Sequence, residues 1–487
     1  MRVRGDRTGC FALQGTRFRS QFVSVVSTHV SFSSYIHSLR RVFGFPICLR
    51  ASGWIPILTS VGSAVLCAAL LAGSGVAQVP DSAAVLYSSP HPAKEAAFGS
   101  AIALTGDRSG DGRSDVLVGA PNASVDGQSN AGRAYLLSGT DGRVLHRLVA
   151  PSPTVNARFG ASVAGVGDVN GDGTNDLVVG AIGPERRGQA FVFNGSDGRL
   201  LHMIGSPAPE EGGLFARVIA DFGDVDGDGA ADVLFGAIGD GEDRAYLFSG
   251  ETGRPIWTAS SPTEGHDHFG RVEPVGDVTG DGQPDVVIGA STTTVGDRAE
   301  AGRAYVYDGS TGTHVRTFSP PASDEGHYGY VLSSVGDANE DGTPDIAIGA
   351  VRGREDGTRI YVYGGASGDV IHTLTPPNPS RDGYFGYSMA GIGPSISNGR
   401  SLLVLGTRVP ASDTLRSGAT YLFDPRSGQR IHTWTSELTG SANAFGASVD
   451  VAPGGTEDST AVVVVGAPSA PVDGVEGAGR VYRFSVE

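Results

Sequence analysis

Between Asp107 and Asp345 the chain repeats one acidic nonapeptide five times, Asp-x-(Asp/Asn/Ser/Thr)-x-Asp-Gly-x-x-Asp, and each copy runs directly into a short apolar segment ending in Gly. The copies are DRSGDGRSD from Asp107, DVNGDGTND from Asp168, DVDGDGAAD from Asp224, DVTGDGQPD from Asp277 and DANEDGTPD from Asp337. Oxygens at positions one, three and five on a tight turn suit a hard dication, which takes six to eight oxygen ligands at roughly 2.3–2.6 Å. Gly at position six lets the backbone reverse. Position seven varies freely, as a backbone carbonyl ligand allows, and the ninth carboxylate completes the cage. The expected calcium ligands are therefore Asp107, Ser109, Asp111, Arg113 and Asp115; Asp168, Asn170, Asp172, Thr174 and Asp176; Asp224, Asp226, Asp228, Ala230 and Asp232; Asp277, Thr279, Asp281, Gln283 and Asp285; and Asp337, Asn339, Asp341, Thr343 and Asp345.

An EF-hand shares the first half of this pattern but needs a Glu at position twelve and flanking helices. Here position twelve is Val118, Val179, Phe235, Ile288 or Ile348, inside β-branched or aromatic runs, so each loop is predicted to join two strands. A single copy would read as a solvated Asp/Gly turn. Five copies in phase argue for a metal loop used as a repeating structural part.

The wider period is set by aromatic-small pairs at Phe98-Gly99, Phe159-Gly160, Phe215-Ala216, Phe269-Gly270, Tyr328-Gly329, Phe385-Gly386 and Phe445-Gly446, spaced by 54 to 61 residues. Each is followed by a Gly-Ala-like element such as VGAP ending at Pro121, then a run such as GRAYLLSG, then a Gly turn and a fourth run such as VLHRL from Val144. Four short strands per unit in seven units predict an all-β fold, a seven-bladed β-propeller of four-stranded blades. A linear solenoid is the alternative, and the chain's ends argue against it. The last unit stops at Glu487 after its third strand, whereas Ala84-Val85-Leu86-Tyr87 matches the fourth strand of other units. The expectation is that this N-terminal strand pairs near Val481 and closes the ring, removing exposed edges.

With Phe-Gly, the acidic nonapeptide and Gly-Ala-Pro recurring in fixed order, the chain resembles the FG-GAP family, the repeats that form the propeller head of integrin α-subunits. The resemblance covers about residue 83 to the end. It implies calcium in the loops between first and second strands, all on one rim, and partner recognition on the opposite rim. The sixth unit reads GIGPSISNGRS after Ala390 and the seventh VAPGGTEDST, starting at Val451, so neither keeps the carboxylates, and about five structural Ca2+ ions are expected rather than seven.

Residues 1–77 form a basic leader with a signal peptide, and 78–487 the propeller. The leader's first residues lack a convincing pattern and fit an over-extended start. The uncharged stretch from Ala51 to Pro80 follows Arg40, Arg41 and Arg50 and offers a cleavage site at Gly75-Val76-Ala77. Its apolar run is also long enough to span a bilayer, so an uncleaved anchor is the alternative. Secretion, or display in the periplasm or at the cell surface, follows from either. Cys10, Cys48 and Cys67 all precede the cleavage site, which leaves a cysteine-free domain large enough to build its own core. The net charge of −16 opposes a nucleic-acid partner. Arg4-Gly5-Asp6 lies in the leader and reads as chance, and Asn122-Ala-Ser124 and Asn194-Gly-Ser196 match glycosylation sequons.

Polar and titratable groups cluster before several Phe-Gly pairs: Glu210 and Glu211; Glu264, His266, Asp267 and His268; Asp324, Glu325 and His327; and Asp382. They would line the rim opposite the calcium. No nucleophile elbow, HExxH helix or phosphate-cradling loop is present. The favoured reading is a monomeric, secreted or cell-surface recognition module for a protein or glycan, and not an enzyme. The alternative is an extracellular carbohydrate-active lyase or hydrolase using these His/Glu loops.

Overall fold

The computed structural model describes residues 85–183, 188–208, 213–239, 243–263, 265–321, 326–351, 358–378, 384–393, 401–408, 418–436, 443–453 and 461–486. The leader, its apolar run and its cysteines lie outside the described residues, as do Glu210, Glu211, Glu264, Asp324, Glu325 and Asp382. Every regular element among the described residues is a β-strand, 28 in all, and no helix there is long and apolar enough to cross a membrane.

The strands form seven four-stranded antiparallel sheets, which are the blades of a β-propeller. Blade one holds the strands Ala101–Leu104, Val116–Ala120, Arg133–Leu137 and Val144–Leu148, and blades two to six repeat this order from Phe159, Gly213, Phe269, Tyr328 and Tyr384. Blade seven is composite. Its first three strands are Ser448–Pro453, Ala461–Ala467 and Arg480–Val486, and the N-terminal strand Val85–Ser88 supplies the fourth, with Tyr87 opposite Val481.

The first strands of neighbouring blades touch around the whole ring, blade seven against blade one included, so they line the axis. Second strands such as VLVGA are buried along their length because both sheet faces meet a neighbouring blade. Fourth strands bury little and form the outer wall. The aromatic of each Phe-Gly pair is wholly buried between blades; Phe215, for example, packs edge-on against Tyr246 and Phe248.

The glycines of the two motifs have one shared cause. A Cβ on Gly119 of blade one would lie 2.0 Å from the carbonyl oxygen of Gly160 in blade two, and a Cβ on Gly289 would lie 2.0 Å from that of Gly329. The Gly-Ala glycine of one blade thus seats the Phe-Gly backbone of the next, at a separation no side chain tolerates. The same contact joins Gly466 of blade seven to the Gly99 carbonyl of blade one, at 2.2 Å from the position a Cβ would take. Ser448 Oγ also donates to Gly99 O at 2.8 Å, and the Leu104 amide donates to Asp450 Oδ2 at 2.7 Å. Blades seven and one are therefore in register like any other adjacent pair.

Candidate functional site

Because first and second strands are antiparallel, each of blades one to five sends its nonapeptide to one rim and its Phe-Gly pair to the other. On the nonapeptide rim all five loops share one hydrogen-bond frame. The first Asp folds the turn over itself: its Oδ2 accepts from the position-six amide, at 2.6 to 3.0 Å, in Asp107, Asp168, Asp224, Asp277 and Asp337. The glycine at that position is left-handed in every copy, with φ between 84° and 91°, which explains its invariance among the loops.

The ninth Asp does more than the sequence suggests. Asp115, Asp176, Asp232, Asp285 and Asp345 are completely buried. One oxygen of each accepts from the position-two amide at 2.8 to 3.0 Å. The other accepts, at 2.9 to 3.3 Å, from the glycine that follows the third strand: Gly139, Gly195, Gly250, Gly309 or Gly365. These carboxylates tie the loop to the turn beyond the third strand. Burial raises their pKa, and Asp232, with the Asp226 charge beside it, is pushed up to about 6.

The donor set fits a hard cation. Carboxylate oxygens of Asp107, Asp111 and Asp115 lie within 4.8 Å of one another, as do those of Asp224, Asp226 and Asp232. Oxygens that far apart can share one ion at calcium–oxygen distances. Asp168, Asp277 and Asp337 keep the same turn, with Asn170, Thr279 and Asn339 at position three. Asp172 also takes a hydrogen bond from Asn194 Nδ2, and Asn194 is only 3% exposed, so its sequon asparagine is committed to the loop.

On the Phe-Gly rim the residues singled out by sequence separate into different roles. Asp267 is buried and accepts from the hydroxyls of Ser261, Thr263 and Thr293 and from the Phe269 amide, so its oxygens are spent holding the loop. His266 is exposed, and His268 is held in a left-handed conformation by its amide bond to Asp243 Oδ2 at 2.7 Å. His327, also left-handed, places Nε2 3.9 Å from Glu300 Oε2. Among the described residues that line the pocket described next, His268 is the one histidine and no carboxylate stands beside it in the lining.

A pocket of about 700 Å³ opens on this rim instead, lined by Asn156, Arg158, Ile182, Leu214, Arg217, Ile238, His268, Arg271 and Tyr330. Of these, only His268 is among the residues singled out above. Three of the others, Arg217, Arg271 and Tyr330, share a simple signal: each directly follows a Phe-Gly pair, on the axial strand. The residue there is Ser100, Ala161, Arg217, Arg271, Tyr330, Tyr387 and Ala447 around the ring, large on blades three to six and small on blades seven, one and two. The Arg271 guanidinium lies over the Tyr330 ring at 3.9 Å, Tyr330 packs on Tyr387, and Arg408 Nη1 donates to Tyr387 Oη at 2.8 Å.

The architecture and loops define a seven-bladed propeller of repeats with an acidic turn between first and second strands. A model described as FG-GAP-like repeat matches residues 168–235, 224–288 and 277–348, and one described as FG-GAP repeat matches 98–137. FG-GAP repeats are thus matched over residues 98–137 and 168–348 of the chain. It is 36% identical to mouse integrin alpha-2 over 135 residues, covering 26% of this chain and 11% of that protein. It is 38% identical to human integrin alpha-IIb over 164 residues, 31% of this chain and 15% of the relative. Drosophila melanogaster integrin alpha-PS2 matches at 33% over 187 residues, 34% and 13% respectively. The matched segments thus span 11 to 15% of these relatives' length.

Proposed function

We propose that this chain is a secreted or cell-surface calcium-binding propeller that recognises a protein or glycan on its Phe-Gly rim. The observation that carries the reading is the division between rims: converging carboxylates on one, and a walled pocket lined by Arg158, Arg217 and Arg271 on the other. Calcium in the five nonapeptide loops would neutralise the first and fifth carboxylates, with Asp226 the one acidic third position, and fix the turns from which the second strands start. Likeness to integrin α-subunits supports adhesion or recognition as the class of activity. The leader supports export.

A binding role is favoured over catalysis because Asp267 is committed to its own loop and no described acid/base pair faces the pocket. The test is a glycan and extracellular-protein array probed with the calcium-loaded chain, with turnover assayed on every hit. Saturable binding without turnover is expected. Turnover that disappears in His268→Ala would replace this reading with the enzymatic one, and an array with no saturable hit would contradict recognition.

A further inference from the structure

Among the described residues, the pocket on the Phe-Gly rim carries cations without matching anions. Arg158, Arg217 and Arg271 converge on it from blades two, three and four, and no carboxylate among the described residues pairs with any of them. Arg271 is the least solvated of the three: its Nε is buried without a hydrogen-bond partner, and its guanidinium face is covered by Tyr330. Burial, and then repulsion from Arg217, pull its pKa below the ordinary value. Glu273, two residues further along the same strand, gives its oxygen to the Ser334 amide and is itself driven towards the neutral form, so it does not compensate. Two like charges held together in a concave site are stabilised by an anion brought in from outside.

The rest of the pocket narrows the kind of anion. Ile182, Leu214 and Ile238 make an apolar wall, and Asn156 adds an uncharged hydrogen-bonding group. A volume of about 700 Å³ is in the range that encloses small ligands rather than a flat protein face. With a chain charge of −16 the cations are local, so a polyanion meets repulsion beyond the pocket, whereas one carboxylate on an otherwise neutral ligand does not. An amphipathic ring bearing a single carboxylate matches apolar wall, polar edge and guanidinium forks together.

We propose that the pocket between blades two and five binds the carboxylate of an acidic sugar, with Arg217 and Arg271 as the carboxylate clamp and Arg158 closing the near side. This rests on the recognition reading above and names its ligand class. The probe is a glucuronate-terminated disaccharide, titrated calorimetrically into the calcium-loaded full chain beside its neutral glucose counterpart and an acetylated, amidated glutamyl peptide. The glucuronate form should bind at least tenfold more tightly than either, a ratio expected of charge-assisted bidentate bonds. Arg217→Ala and Arg158→Ala should each weaken it about tenfold or more with an unchanged melting curve, and Arg271→Lys, which keeps the charge but not the fork, should also weaken it.

No binding of the glucuronate form, equal binding of the glucose form, tighter binding of the peptide, or indifference to both Arg217→Ala and Arg158→Ala would overturn the proposal. Array ligands that bind but ignore these variants would remove the sugar pocket and leave recognition standing. An array without saturable hits would remove both.

Discussion

The two rims of this propeller are built by the same repeat, yet one is uniform and the other is not. On the nonapeptide rim, five blades repeat the same hydrogen bonds to within a few tenths of an ångström. On the Phe-Gly rim, equivalent positions hold Arg217, Arg271, Tyr330 and Tyr387 across four blades and Ser100, Ala161 and Ala447 across three. Uniformity is what a structural clasp requires, since every blade needs the same turn. Departure from the repeat is what a ligand requires, because one molecule cannot meet seven identical walls.

Metal removal should have the largest effect on the nonapeptide rim. Excess chelator should lower the melting temperature by about 10 °C or more, because ions bound only to the folded state stabilise by mass action and their loss leaves clustered carboxylates. Overlaying melting curves would strip the nonapeptide rim of its structural role. Next, Asp224→Asn removes a loop charge while Asn can still cap the turn through its one oxygen. It should cost about 2 kcal/mol in calcium and much less in chelator, as read by denaturant unfolding. An equal cost in both would mean that the turn, not the ion, is what Asp224 supports.

Between the rims the axis offers a pH test. Glu273 keeps some contact with channel solvent, but crowding by the first strands pushes its pKa up to about 8, with the Asp450 charge adding to the shift. A carboxylate raised in the folded state favours folding while protonated. Its contribution is complete below the ordinary value of 4.5 and is lost as pH rises through 8. Glu273→Gln should therefore melt on the order of 5 °C above the parent at pH 9 and level with it at pH 4. The opposite order at pH 9 would mean that the Glu273 charge is compensated. The smallest expected effect is Arg217→Ala, an exposed change on the Phe-Gly rim, which should shift melting by less than about 1 °C. A larger loss would mean that this rim, too, is scaffold.

Much of the fold was legible because its signals are local and repeated. The nonapeptide fixes a turn, the apolar run after it a buried strand, and the missing fourth strand of the last unit pointed to Val85–Tyr87, which lies against Val481–Arg483. Two things were not legible in spacing alone. The ninth Asp reads as a metal ligand, but its second partner is a glycine up to 24 residues further on, so its role as a buried tie emerges only when the third strand folds back. In the pocket, Arg217, Arg271 and Tyr330 stand 54 and 59 residues apart and meet only when neighbouring blades pack, and their place after a Phe-Gly pair is meaningful only once that position is known to face the axis. The His and Asp residues before those pairs drew notice by chemistry, yet Asp267 turned out to serve its own loop.

Hydrogen exchange tests whether recognition and metal binding occupy opposite rims. The calcium-loaded chain, compared with and without its tightest array hit, should gain protection around 156–160, 214–218, 236–239 and 268–272. The loops at 107–115, 168–176, 224–232, 277–285 and 337–345 should be unchanged. Protection concentrated in those five loops, with the Phe-Gly rim unaltered, would contradict it.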